Sequence, residues 1–180
     1  MSDIAFAQSG VIPLGRPRAF DTIVYGGLTA GVLDILFAMI FYGIRNNATP
    51  VRILQSVASG LIGRNASRAG GLKTALLGLF LHFLIAFIVA TIFYGASLIL
   101  PILIRHAVIS GLLYGVVVYF VMNYVVVPLS AIGPSTGSTP WVVLLNGVIF
   151  HALLIGLPIA LIAKHSAKIT VDKGGYAPPA

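Results

Sequence analysis

The chain has 180 residues, with 11 Lys and Arg, 4 acidic residues and a formal net charge of +7. Hydrophobic residues make up 58 % and charged residues 8 %, against roughly 25 % charge in a soluble domain, so polar groups are too few to cover a water-facing surface. The absence of cysteine excludes disulfides, thiolate catalysis and cysteine-based metal or iron–sulfur sites.

The excess of positive charge does not point to nucleic acid. The basic residues flank apolar segments, where they meet anionic headgroups, and no soluble domain offers a basic face. Residues 1–21 are mixed in character, contain Pro13 and Pro17, and are expected to form a flexible N-terminal segment. Asp3 stands where a cleavable signal would be positive, and no apolar stretch follows before Arg16. The first apolar run is therefore expected to be a retained span.

Four segments reach the ~20 apolar residues that a spanning helix needs. The first covers about residues 22–44 and carries one charge, Asp34. A shorter stretch follows at about 50–63. Thr49 fits its N-cap and Pro50 its first helical position. Val51, Leu54, Val57, Ala58, Leu61 and Ile62 recur at helical spacing, with Arg52, Gln55, Ser56 and Ser59 on the other face. This reads as an amphipathic helix lying in the headgroup plane, where Arg52, Arg64 and Arg68 contact lipid headgroups. The second span covers about 72–99, the third about 104–127 and the fourth about 141–163. Pro101 and Arg105 mark a short hairpin between spans two and three. Residues 128–140 form a loop without charge, and Trp141 after it suits an interfacial anchor. Residues 164–180 read as a flexible basic tail.

The expected fold is an all-α membrane protein: a four-helix transmembrane bundle over residues 22–163 with one amphipathic interfacial helix. Both termini then lie on one side, with Arg16, Arg18, Arg105, Lys164, Lys168 and Lys173. Arg45, Arg52, Arg64, Arg68 and Lys73 lie on the other. Basic residues are split almost evenly, and the absence of any in the loop before Trp141 favours cytoplasmic termini.

Polar groups inside spans turn away from lipid. Asp34 lies about 12 residues into its span, and His82 and His151 about 10 into theirs, so at 1.5 Å per residue all three fall near the bilayer midplane. Each shares a helical face with small residues: Asp34 with Gly27, Gly31 and Ala38, His82 with Gly78 and Ala86, and His151 with Gly147. Small residues mark helix–helix contact, so the three polar side chains are expected to form a buried cluster. Asn123 and Asn146 are expected to form a second polar layer nearer Trp141. Asp34 beside a histidine can share a proton, either as a structural clasp of interhelical hydrogen bonds or as a relay. His82 and His151 at matching depth can also be read as axial ligands of a haem b, with His106 and His165 as a second pair. No nucleotide-binding, metalloprotease or nucleophile-elbow motif is present.

The stretches GGLTAGVLDILFAMIFYGIR, PVRILQSVASGLIGRNA, TALLGLFLHFLIAFIVATIFY and RHAVISGLLYGVVVYFVMNYVVVPLS together resemble a group of small bacterial four-span inner-membrane proteins without an assigned activity. The resemblance covers about residues 22–163. It implies a multi-pass bacterial inner-membrane protein and carries over no catalytic residue. The leading functional expectation is a non-enzymatic accessory or assembly subunit of a membrane complex, with the lipid bilayer, other membrane subunits or a second copy as partners and no cofactor. The alternatives are a small proton-coupled transporter or channel using Asp34, His82 and His151, and a bis-histidine haem protein.

Overall fold

The computed structural model describes residues 15–134, 137 and 139–173. Residues 1–14 of the expected N-terminal segment and 174–180 of the expected tail lie outside the described residues. The described chain is helical, without strands, and four helices are long and apolar enough to cross a membrane. They are α1 (Asp21–Asn46), α4 (Gly71–Ile99), α6 (Ala107–Leu129) and α7 (Trp141–Lys168). Two short helices, α2 (Pro50–Ile62) and α3 (Arg64–Ala69), join α1 to α4, and one turn of helix, α5 (Ile102–Arg105), joins α4 to α6. The protein is thus a multi-pass membrane protein built as a helical bundle.

Contacts between segments distant in sequence identify the two ends. At the proximal end the Arg18 backbone N–H donates to Ser166 Oγ at 3.1 Å, and Lys164 Nζ donates to the Arg105 carbonyl at 3.4 Å. At the distal end the Ala131 N–H donates to the Gly60 carbonyl at 2.9 Å, tying the loop after α6 to α2.

Three local features depart from the sequence reading. Helix α7 does not stop at Ala163: its apolar span reaches Lys168 and the backbone stays helical through Lys173, because no glycine or proline interrupts residues 159–173. Ser166 and Ala167, expected in a flexible tail, are buried. The third span begins at Ala107 instead of about residue 104, since His106 leaves the helical region at φ −108° and ψ 46°. In α2 the faces are differently divided. Gln55 and Ser59, assigned to the outer polar face, are only 4 % and 6 % exposed, whereas Leu61 is 60 % exposed. Next to lipid the apolar side chain can face outward, while the polar ones require partners inside.

Those partners form a compact knot. Thr49 caps α2 by accepting from the Arg52 N–H at 3.3 Å, with Pro50 at the first helical position. Gln55 Nε2 donates to the Gly71 carbonyl at 3.0 Å and to Thr74 Oγ1 at 3.3 Å. Ser67 Oγ donates to the Gln55 carbonyl at 2.5 Å, and Thr74 Oγ1 donates to the Ser67 carbonyl at 2.6 Å. Gly63 at φ +79° and Gly71 at φ +56° make the turns on either side of α3. A side chain is strained in both conformations.

Spans three and four meet backbone to backbone. A Cβ on Gly115 would overlap the His151 carbonyl and Ala152, and one on Gly156 would overlap the Gly111 carbonyl and Gly115. Gly27 and Gly31 lie against the rings of Phe87 and Phe83. The small-residue stripes therefore serve packing within the chain. Of the three stretches of wide π-helix among the described residues, Asp21–Tyr25 opens α1, and Met122–Val126 and Ala152–Gly156 each end two residues before a proline, Pro128 and Pro158. Proline lacks an N–H and its ring crowds the carbonyl four residues earlier. The widened turn accommodates that carbonyl without breaking the span.

The apolar core sits in the proximal half. Val89, Ala90, Phe93, Ile104, Ala107, Ile159, Ala160, Ala163 and Ala167 belong to one buried cluster. Phe93 is 1 % exposed and Ile159 and Ala160 are 0 % exposed.

Candidate functional site

The distal half is built differently. Cavities of about 850, 160 and 200 Å3 occupy it, and Asp34 borders all three. The largest is a cleft between the end of α1, α2 and α3, with Asp34 and His82 deep in its wall. The 200 Å3 cavity brings Asp34, His82 and His151 around one space, with Gly31, Val57 and Met122. The 160 Å3 cavity is lined by Asp34, His151, Asn123 and Asn146, together with Tyr42 and Tyr119. Asp34 and His151 are shared by the linings of these two smaller cavities.

Each side chain is held by a distinct local device. His82 Nε2 approaches the Gly31 carbonyl at 2.8 Å. A carbonyl only accepts, so Nε2 carries the proton and Nδ1 of the neutral ring is left as an acceptor. That hydrogen bond joins span two to span one at the depth where Gly31 admits the Phe83 ring. His151 is the last residue before the wide turn Ala152–Gly156, a type of turn that recurs at functional sites. Its ring packs edge-on to Tyr119, with centroids 5.3 Å apart. Asp34 and His82 both lie within electrostatic range of His151. Asn123 Nδ2 donates to the Tyr119 carbonyl at 2.9 Å.

Asp34 stands apart from these. It accepts no hydrogen bond and forms no ion pair among the described residues; the one ion pair there is Arg18–Asp21, at 3.5 Å. Asp34, His82 and His151 surround a cavity without hydrogen-bonding one another, and no group of three His, Asp or Glu side chains among the described residues converges enough to hold a metal ion. A carboxyl group at this depth needs a proton, a cation or water as its partner.

Tyr42 was not singled out from the sequence. It lies within electrostatic range of Asp34 and lines both the cleft and the 160 Å3 cavity. The signal was available, since Asp34, Ala38 and Tyr42 follow at intervals of four and share a helical face. Arg52, Arg64 and Arg68 all line the cleft and are all exposed. His106 and His165 are exposed. No family model, curated protein or solved structure matches the chain.

Proposed function

We propose that this protein is a small proton-linked transporter of the bacterial inner membrane, with a polar solute site in the distal half and Asp34 as the proton-carrying group. The observation that carries this reading is the position of Asp34: mid-span, bordering three cavities and unpaired with any protein group among the described residues. A purely structural carboxyl group would be expected to end in hydrogen bonds, because leaving one unpaired in a low-dielectric region is costly. His82, held through Nε2, presents Nδ1 as a proton acceptor, and His151 offers a second exchange partner across the same cavity. On this reading the tightly packed proximal half is the closed side and the distal cleft the open one. Transport then requires a second arrangement, with the wide turns beside Pro128 and Pro158 as the places where spans three and four flex.

We place the termini in the cytoplasm, because the loop at 128–140 has no basic residue. We also place α2 at the membrane–water boundary, with Val51, Leu61 and Ile62 towards lipid and Val57 reaching the inner cavity. A haem between His82 and His151 finds less support. His82 Nε2 is engaged by Gly31, and 200 Å3 is below the roughly 300 Å3 at which ordinary small-molecule sites begin. The accessory-subunit reading is the competing one and makes no demand on Asp34.

The test is a pH jump on purified protein in liposomes adsorbed to a solid-supported membrane. Wild type is expected to give a charge displacement, and Asp34→Asn is expected to reduce it roughly tenfold or more while folding normally. Wild-type signals equal to those of protein-free liposomes, or a full response from Asp34→Asn, would refute the proposal.

A further inference from the structure

We infer that the distal cleft is a binding site for a phosphate-bearing ligand, gripped at its mouth by Arg52, Arg64 and Arg68. This goes beyond the proton-linked reading and stands whether or not Asp34 moves protons. Three arginines line one cleft of about 850 Å3, and none of them forms an ion pair among the described residues. Asp34 is the one acidic residue in the cleft wall, about 12 residues and hence ~18 Å of helix rise below Asn46 at the rim. The mouth is therefore a concentrated positive field without a protein counter-charge.

The helices that carry the arginines are held in place. Arg64 and Arg68 stand four residues apart on α3 and share a face. The knot made by Gln55, Ser67 and Thr74 locks α3 to α2 and α4, so Arg52 on α2 keeps its relation to both. Gln55 and Ser59 line the same cleft and are almost fully buried. Guanidinium forks bind phosphate oxygens in pairs, which selects phosphate over a simple halide. The volume lies within the roughly 300–1,000 Å3 range of sites for small organic ligands, well beyond a bare phosphate ion. Asn46, Asn47 and Ser56 add neutral polar groups to the wall, suited to the hydroxyls of a glycerol or sugar unit. The same chemistry is offered by a phospholipid headgroup and by a water-soluble phosphate ester.

The experiment uses the full chain purified in a neutral detergent. Binding of phosphatidylglycerol in mixed micelles and of glycerol 3-phosphate in solution is titrated by the shift in thermal unfolding, with sodium chloride at matched ionic strength as the reference. Saturable binding of the lipid alone supports the proposal and assigns the ligand to the bilayer. Saturable binding of glycerol 3-phosphate supports it and assigns a soluble ester. Arg64→Gln/Arg68→Gln is expected to weaken binding roughly tenfold or more, and Arg45→Gln/Lys73→Gln, at the same end but outside the cleft, is expected to leave it unchanged. Arg64→Lys/Arg68→Lys keeps the charge and serves if the first variant does not fold; it is expected to bind more weakly than wild type. The proposal is overturned by non-saturating shifts with both probes, by an equal loss in the control pair, or by wild-type affinity in the lysine variant.

Discussion

In the proximal half, Phe93, Ile159 and Ala160 are at most 1 % exposed, and glycine backbones touch the facing helix. In the distal half the same helices border cavities at Asp34, Tyr42 and His151. The difference lies in the size of the residues at the crossings. Gly111, Gly115, Gly156 and Ala160 let spans three and four close on one another. Towards the distal end, the Tyr119 ring inserts against Gly147, and Phe37 stacks on Phe150 with centroids 3.7 Å apart. Aromatic side chains there act as struts. A membrane bundle can thus combine a rigid base with a hollow upper half by grading residue size along its length, without any change of secondary structure.

The largest expected effect of breaking this contrast is at Phe93, the bulkiest fully buried side chain. Phe93→Ala should cost about 3–5 kcal/mol, read as a loss of folded protein in denaturant titrations in micelles. A matched pair sharpens the comparison. Ala160→Leu adds bulk where even a Cβ added to Gly111 would crowd the Ala160 Cβ, and should cost about 1–3 kcal/mol through overpacking. Ala38→Leu points the same bulk at the 850 and 160 Å3 cavities, and should stay below about 1 kcal/mol. Equal losses in the two variants would mean that the halves are packed alike. An intermediate effect is expected at the polar knot. Gln55→Ala removes donors from the Gly71 carbonyl and Thr74 Oγ1 and should cost ~1–2 kcal/mol. Hydrogen exchange should then rise in residues 64–69 before it rises in the spans.

The spans were readable because a bilayer demands some twenty apolar residues in a row, and composition alone reveals that. That Asp34, His82 and His151 could line one cavity was readable for the same reason, since helical rise converts position into relative height. The knot was not. Gln55 and Ser59 were assigned outward by analogy with amphipathic helices on a membrane surface, whereas Gln55 turns inward to reach the Gly71 carbonyl. No local pattern announces a partner 16 residues away. The helical continuation past Ala163 was hidden by its polar composition, because Ser166 is buried through its bond from the Arg18 N–H at the far end of the chain. Nor does spacing say whether three inward groups touch or stand around a space. That depends on Tyr119, Phe37 and Phe150, whose bulk holds the helices apart.

The wide turn at Ala152–Gly156 also bears on how this gene can change over time. It holds one more residue than an ordinary α-helical turn would, stabilised in place ahead of Pro158. Losing a single codon there would restore an ordinary turn and leave Ile159, Ala160 and Ala163 close to the neighbours they now meet, whereas losing one from the regular helix beyond it would swing the residues that follow about 100° around the axis. Single-residue deletions in this span should therefore be accepted more readily within this stretch than in the regular helix on either side of it.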